Sequence, residues 1–253
     1  MSDAAKVAVI TGGAGGIGIA TGKAMVADGW RVVLVDVDAE GLAKAAAEVG
    51  EGTLVHVLDI RDVAAIQAAF PAIAAAAGRI DCLVNNAGVF RLESIWDVEE
   101  STYDWLMDIN LKGTFFCTQA AAKEMARQGE GGVIVNVASA AGRSGRPTQV
   151  IYGLSKAGMV HLTKSSAIAL APDRIRVCCV CPAAVDTGMM AKNFAERRDV
   201  GGDADVQAFM AKLLVPRLSR PDEVADLVAY LASDKASYIT GCSIDISGGL
   251  DMH

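Results

Sequence analysis

The sequence predicts an α/β chain: about seven parallel strands alternating with helices that cover both faces of a doubly wound sheet. Three observations carry this. Short apolar runs recur at 7–10, 32–35, 54–58, 81–85, 133–137, 175–180 and 243–246. Stretches of helical character separate most of them, at 17–27, 39–48, 62–77, 101–127, 152–170 and 221–232. No repeat, low-complexity run or linker interrupts the pattern, so residues 1–253 are read as one domain.

The first strand, Val7-Ala8-Val9-Ile10, runs into Thr11-Gly12-Gly13-Ala14-Gly15-Gly16-Ile17-Gly18 and then into helix-compatible residues through Ala27. Strand, glycine turn and helix in that order are the context of a Rossmann-type dinucleotide fingerprint. Glycine lets the backbone approach a pyrophosphate, and the helix N-terminus offers free N–H groups to it. The second run, Val32-Val33-Leu34-Val35, ends at Asp36, twenty residues after Gly16. A carboxylate there can accept hydrogen bonds from the adenine ribose and repel a 2′-phosphate. Asp38 reads as the N-cap of the next helix.

Further along, Tyr152 and Lys156 stand four residues apart in a helical stretch, hence on one face, with Ser139 thirteen residues before the tyrosine. A cation beside a phenol favours the phenolate, so the lysine is expected to lower the tyrosine pKa and make it an acid or base near neutral pH. Ser139 could then hold the oxygen of an alcohol or carbonyl. Asp36, Asp59, Asn85, Ser139 and Pro182 all fall at or just beyond predicted strand ends, where ligands of open parallel sheets bind.

Together these residues resemble the short-chain dehydrogenase/reductase family over essentially the whole chain. Thr11 to Gly18 is similar to its cofactor loop, and Gly12, Gly15, Gly16, Ile17 and Gly18 are the expected contacts. Asp59, followed by Ile60, matches the family's adenine-contacting aspartate. Asn85-Asn86-Ala87-Gly88 resembles the NNAG motif, and Asn86, Ala87 and Gly88 are expected to line the cofactor cleft. Asn110 matches an asparagine that holds a relay water. With Ser139, Tyr152 and Lys156 it completes the family's catalytic tetrad. Pro182 to Thr187 resembles the segment that meets the nicotinamide carboxamide, giving Pro182, Val185 and Thr187 as contacts. Ser237 to Gly241 and Ser247-Gly248-Gly249 resemble the C-terminal signature. Two departures are Ala183 where the family has glycine and Ser247 where it has aspartate. Without glycine's freedom at positive φ, Ala183 is expected to shift its loop.

Composition excludes several classes. A formal charge of −7 opposes non-specific nucleic-acid binding. No apolar stretch approaches the roughly 20 residues that span a bilayer, and the start of the chain shows no signal peptide, so a cytoplasmic location is expected. Of six cysteines, Cys178 and Cys179 point to opposite faces of one strand and cannot readily share an ion. No metal is expected, and the thiols read as buried and reduced.

The resulting expectation is an NAD-dependent oxidoreductase that moves a hydride between nicotinamide and a secondary alcohol, such as a diol, polyol or hydroxy acid, or its ketone. Substrate contacts are expected from Ser139, Ala141, Gln149 and Tyr152, with Arg143, Val185, Arg91 and Glu93 as further candidates. The connection at 186–220 carries Met189, Met190, Phe194, Phe209 and Met210 among charged residues such as Arg197, Arg198 and Asp203. The resemblance implies that it forms a helical lid, and that the chain assembles as a homotetramer through helices near 101–127 and 152–170. Alanine-rich stretches in those helices would allow close approach. An NADPH-dependent 3-oxoacyl reductase is the alternative, opposed by Gly13-Ala14-Gly15, which offers no cation to a 2′-phosphate. A non-catalytic dinucleotide sensor is opposed by the intact tetrad.

Overall fold

All seven predicted runs become strands of one parallel sheet in the order β3-β2-β1-β4-β5-β6-β7. The computed structural model describes residues 5–250, and for 197–202 and 205 the backbone alone. The strands are β1 (Val7–Thr11), β2 (Arg31–Asp36), β3 (Leu54–Val57), β4 (Cys82–Asn85), β5 (Gly132–Val137), β6 (Ile175–Pro182) and β7 (Ser243–Ile246). β1 is wholly buried because it has a parallel neighbour on each side, pairing Val9 with Val33 of β2 and with Leu83 of β4.

Helices α1 (Gly16–Ala27), α2 (Ala39–Val49) and α8 (Pro221–Ala232) pack on one face. There Ala8, Ile10, Val32, Leu34 and Val135 meet Met25, Leu42 and Val228. Helices α3 (Val63–Ala77), α5 (Thr114–Gln128) and α6 (Val150–Leu170) cover the other, where Val7, Val9, Val33 and Ile134 meet Phe70, Cys117 and Ala167. Alternate strand residues thus feed two cores, as a pleated strand requires. Helix starts follow local chemistry. Asp38 caps α2 by accepting from Gly41 N at 3.0 Å, and Asp62 caps α3 by accepting from Ala65 N at 3.0 Å.

The expected single helix over 101–127 is three pieces: α4 (Glu100–Met107), a π-helical turn (Asp108–Gly113) and α5. The wide turn lies where the Asn110 side chain reaches sideways to the backbone of Val89 instead of into helix packing. The segment after β6, unassigned by periodicity, forms α7 (Gly188–Met210), capped by Thr187, whose Oγ1 accepts from Met190 N at 3.4 Å. α7 is not straight. The rings of Phe194 and Phe209 stack edge to face with centroids 5.9 Å apart. Fifteen residues of straight helix would separate them by about 22 Å.

Candidate active site

The carboxyl ends of the strands open into one cavity of about 1150 Å³. At its centre the glycine turn is tied to the turn after β4. Asn86 Nδ2 donates to the carbonyls of Thr11 at 3.1 Å and Gly12 at 3.0 Å, while Thr11 Oγ1 accepts from the backbone N–H groups of Asn86 and Ala87. Gly12 has φ +65°, and a Cβ there would lie 2.8 Å from Ala87 Cα. Only glycine fits both demands. Gly12, Gly15, Gly16 and Ile17 line the cavity. Gly18, expected as a cofactor contact, does not line it. A Cβ at Gly18 would run into the Gly12 carbonyl oxygen, so this glycine serves the packing of α1 under the turn.

At the β2 end, Asp36 lines the cavity with its carboxylate oriented by two backbone donors, Ala14 N at 3.1 Å and Asp38 N at 3.2 Å. Asp59 and Ile60 line the same region. Arg61, which sequence reasoning missed, grips Asp59 through Nε at 3.0 Å and Nη2 at 2.6 Å and holds its carboxyl below the usual range. The residue is two positions from Asp59, so a local ion pair was the available signal.

The catalytic candidates converge from three elements. Ser139 starts a 3₁₀ turn (Ala140–Gly142), its Oγ accepting from Ala141 N at 3.2 Å. Tyr152 and Lys156 lie one turn apart on α6, and all three line the cavity. Lys156 is 4% exposed. Its Nζ donates to the Val137 carbonyl at 2.9 Å and contacts Met159 Sδ at 3.4 Å. Nζ lies 5.9 Å from the centroid of the Tyr152 ring. Burial pushes Lys156 down to about 8.

Tyr152 moves opposite to the sequence expectation. Burial raises its pKa, and the influence pulling it down is a hydrogen bond from Ser139, not the lysine. Phe90 stands edge-on to the phenol ring at 4.9 Å and 79°. Asn110 is fully buried and does not line the cavity. Its Oδ1 accepts from Val89 N at 2.8 Å, and its Nδ2 donates to Val89 O at 2.9 Å and to Ser155 Oγ at 3.1 Å. Ser155 Oγ in turn donates to the Tyr152 carbonyl at 2.8 Å. In this structure Asn110 therefore binds the cavity wall to the helix that carries Tyr152.

Ala141, Gln149, Pro182, Val185, Thr187, Asn86, Ala87 and Gly88 line the cavity as expected. Arg143 does not. It turns away to donate to the Ser243 carbonyl at 3.1 Å, with Asp245 at 3.7 Å. Arg91 and Glu93 also lie outside, 3.2 Å apart, with Glu93 bridged to Gln149 by backbone pairing. Ala183 is not at positive φ. The left-handed residue of that loop is Ala184, at φ +50°. Met189, Met190, Asn193, Phe209 and Lys212 bring α7 and its exit into the cavity wall. The side chains of Arg197 and Arg198 lie outside the described residues. The six cysteines are free, and burial pushes Cys82 and Cys117 up to about 12, which keeps them thiols. Among the described residues no cluster of three or more metal-ligating side chains exists, and no helix is long and apolar enough to cross a membrane.

A family model described as enoyl-(acyl carrier protein) reductase matches residues 12–251. The chain belongs to the short-chain dehydrogenase/reductase family. Within that family, D-threitol dehydrogenase of Mycolicibacterium smegmatis is 40% identical over 249 residues, covering 96% of this chain and 92% of that one. A 3-oxoacyl-(acyl-carrier-protein) reductase of Thermotoga maritima is 37% identical over 249 residues, covering 97% of each. The structure of NAD+-bound xylitol dehydrogenase superposes with a TM-score of 0.93 at 31% identity, covering 98% of this chain and all of that one.

Proposed function

We propose that this oxidoreductase is a single-domain, NAD-preferring dehydrogenase that interconverts a secondary alcohol of the polyol or hydroxy-acid type and its ketone. The observation that carries the cofactor choice is Asp36, aimed into the cavity by Ala14 N and Asp38 N and standing where a 2′-phosphate would need a cation. The cradle fits a dinucleotide: the Gly12 turn has no room for a Cβ, and Gly15, Gly16 and Thr187 stand beside the N-terminus of α1. Gly12, Gly15, Gly16, Ile17, Asp36, Asp59, Ile60, Asn86, Ala87, Gly88, Pro182, Val185 and Thr187 would hold NAD, which when bound supplies the hydride acceptor.

The chain's own residues orient the substrate and move its proton. Ser139 and Tyr152 flank the position for the substrate oxygen: in the reducing direction the Tyr152 phenol gives its proton to the ketone oxygen, and in the oxidising direction the resulting phenolate takes the alcohol proton back. Lys156, drawn down to about 8 by burial, stands one helical turn from Tyr152 with its Nζ 5.9 Å from the ring centroid. Gln149, Ala141 and α7 bound the substrate, with α7 acting as a lid. Asn110 positions Tyr152 through Ser155 and, as the family resemblance implies, would hold the relay water of the proton path. The polyol names of the threitol and xylitol relatives support the substrate class.

The 3-oxoacyl reductase relative supports an NADPH-dependent 3-oxoacyl reductase as the second reading, and cofactor preference tests its NADPH part. Unit charges ~4 Å apart repel by about 4 kcal/mol at an effective dielectric of ~20, lowered to roughly 2–3 kcal/mol by solvent and salt. Each ~1.4 kcal/mol is tenfold, so NAD is expected to be favoured roughly 30- to 150-fold in kcat/KM. Asp36→Ala should narrow that gap. Equal kcat/KM for NAD and NADP on one substrate, or a preference for NADP, would overturn the assignment. The same reading places the protein in the cytoplasm as a homotetramer.

A further inference from the structure

The carboxylates of the cavity gather at one end, where Arg61 pairs with Asp59, while its other described lining cations, Arg146, Lys156, Lys192 and Lys212, lie away from that end. Among the described residues that line it, the carboxylates, Asp36 and Asp59, both belong to the β2 and β3 ends. The opposite part, walled by β6 and α7, carries no described carboxylate and receives two lysines, Lys192 and Lys212. In sequence these are twenty residues apart, on the first turns of α7 and just beyond its end. A straight helix would set them about 30 Å apart. The bend that joins Phe194 to Phe209 turns both ends of the segment toward one cavity. Gly201-Gly202, halfway along, is a pair poorly suited to keeping a helix straight.

The surrounding wall sharpens the contrast. Met189, Met190, Ala208, Phe209 and Leu250 offer apolar contact, and buried Asn193 adds an amide. A neutral polyol asks for alternating donors and acceptors along its length. Two exposed lysines beside an apolar wall offer cationic donors, which suit an anion at the end of a chain. The protein as a whole carries −7, so these cations do not reflect a generally basic surface.

We propose that Lys192 and Lys212 form an anion-recognition wall on the substrate side, and that the preferred substrate is a secondary alcohol bearing a terminal carboxylate or phosphate. This rests on reading the cavity as a dehydrogenase site, and it names the substrate class within that site.

The test uses a matched series with NAD: sorbitol, gluconate and sorbitol 6-phosphate. Wild-type kcat/KM is expected to be at least about tenfold higher for an anionic member than for sorbitol. Loss of a charge-assisted hydrogen bond typically costs tenfold or more. The K192A,K212A double variant should therefore lose about ten- to hundredfold more on the anionic members than on sorbitol. Calorimetric titration of sorbitol 6-phosphate into the NADH-bound enzyme reads the same loss without turnover. A wild-type preference for sorbitol, equal losses across the series, or no binding of either anion overturns the proposal. So does a double variant whose NADH affinity falls instead, since the lysines would then serve the cofactor's own phosphates. Failure of wild type to bind NADH would instead strike the dehydrogenase reading itself.

Discussion

Lys156 shows how a single buried group couples chemistry to stability. Its ammonium is removed from water, so the folded chain releases the proton at about 8, whereas the unfolded chain holds it to its ordinary value of 10.5. Between those values the unfolded state binds more protons, so this residue's contribution to stability rises with pH. Over the full window the gain is about 3 kcal/mol at ~1.36 kcal/mol per pH decade. The stability of wild type minus that of Lys156→Met, followed by denaturant unfolding from pH 7.5 to 10.5, should climb by that amount. A flat difference would mean that the ammonium is well solvated. Tyr152 is the complementary case. Tyr152→Phe keeps the ring against Phe90 but removes the proton carrier, so kcat should fall by about 10²–10⁴ while NADH still quenches protein fluorescence. Turnover close to wild type would remove Tyr152 from the mechanism.

At the scale of elements, the strand runs, the glycine turn and the Asp38 cap were legible because each depends on a few adjacent residues. The π turn was not, since its cause, the reach of Asn110 to Val89, spans 21 residues. The same holds for the upward shift of Tyr152, which follows from burial, and for the left-handed residue at Ala184 rather than Ala183. Lid residues such as Met189 and Phe209 were visible as an apolar set, but the bend that brings Lys192 and Lys212 to the cavity was not. The glycine turn yields a sharp contrast between two positions. At Gly18 an added methyl meets the Gly12 carbonyl oxygen, whereas at Gly15 the same oxygen stays 3.4 Å away. Gly18→Ala should cost about 1–3 kcal/mol or more and weaken NADH binding. Gly15→Ala should be tolerated by the fold. Equal melting temperatures for the two variants would show that α1 can withdraw from the turn.

For the whole molecule, the expectation about assembly needs a new structural basis. Of the alanine-rich stretches in α5 and α6, Ala120, Ala121, Ala122 and Ala167 are buried within the protomer, whereas Ile168 and Ala169 face outward. The outward apolar residues of α4, α5 and α6 are Tyr103, Phe115, Leu154 and Ile168, the last 79% exposed. A shallow groove lined by Met107, Leu111, Phe115 and Leu162 runs beside them. Apolar surface of this kind is characteristic of an interface. Light scattering at micromolar concentration should therefore give four times the 26.2 kDa chain mass, and Phe115→Glu should lower it. A monomer mass for wild type would leave those side chains without a partner of the same kind.

The tie between Asn86 and the Thr11-Gly12 carbonyls spans about 75 residues of chain. Every fingerprint residue up to Asp36 leaves the ribosome early, but the strand that closes the nucleotide cradle follows much later. At roughly 5–20 residues per second, that interval, the 50 residues from Asp36 to Asn86, lasts about 2.5–10 s. Throughout it the nascent β1–α1–β2 unit carries the motif without the partner that shapes it. Cofactor capture during translation must therefore wait for β4, and a chain released before that point would display the full dinucleotide signature yet hold no dinucleotide.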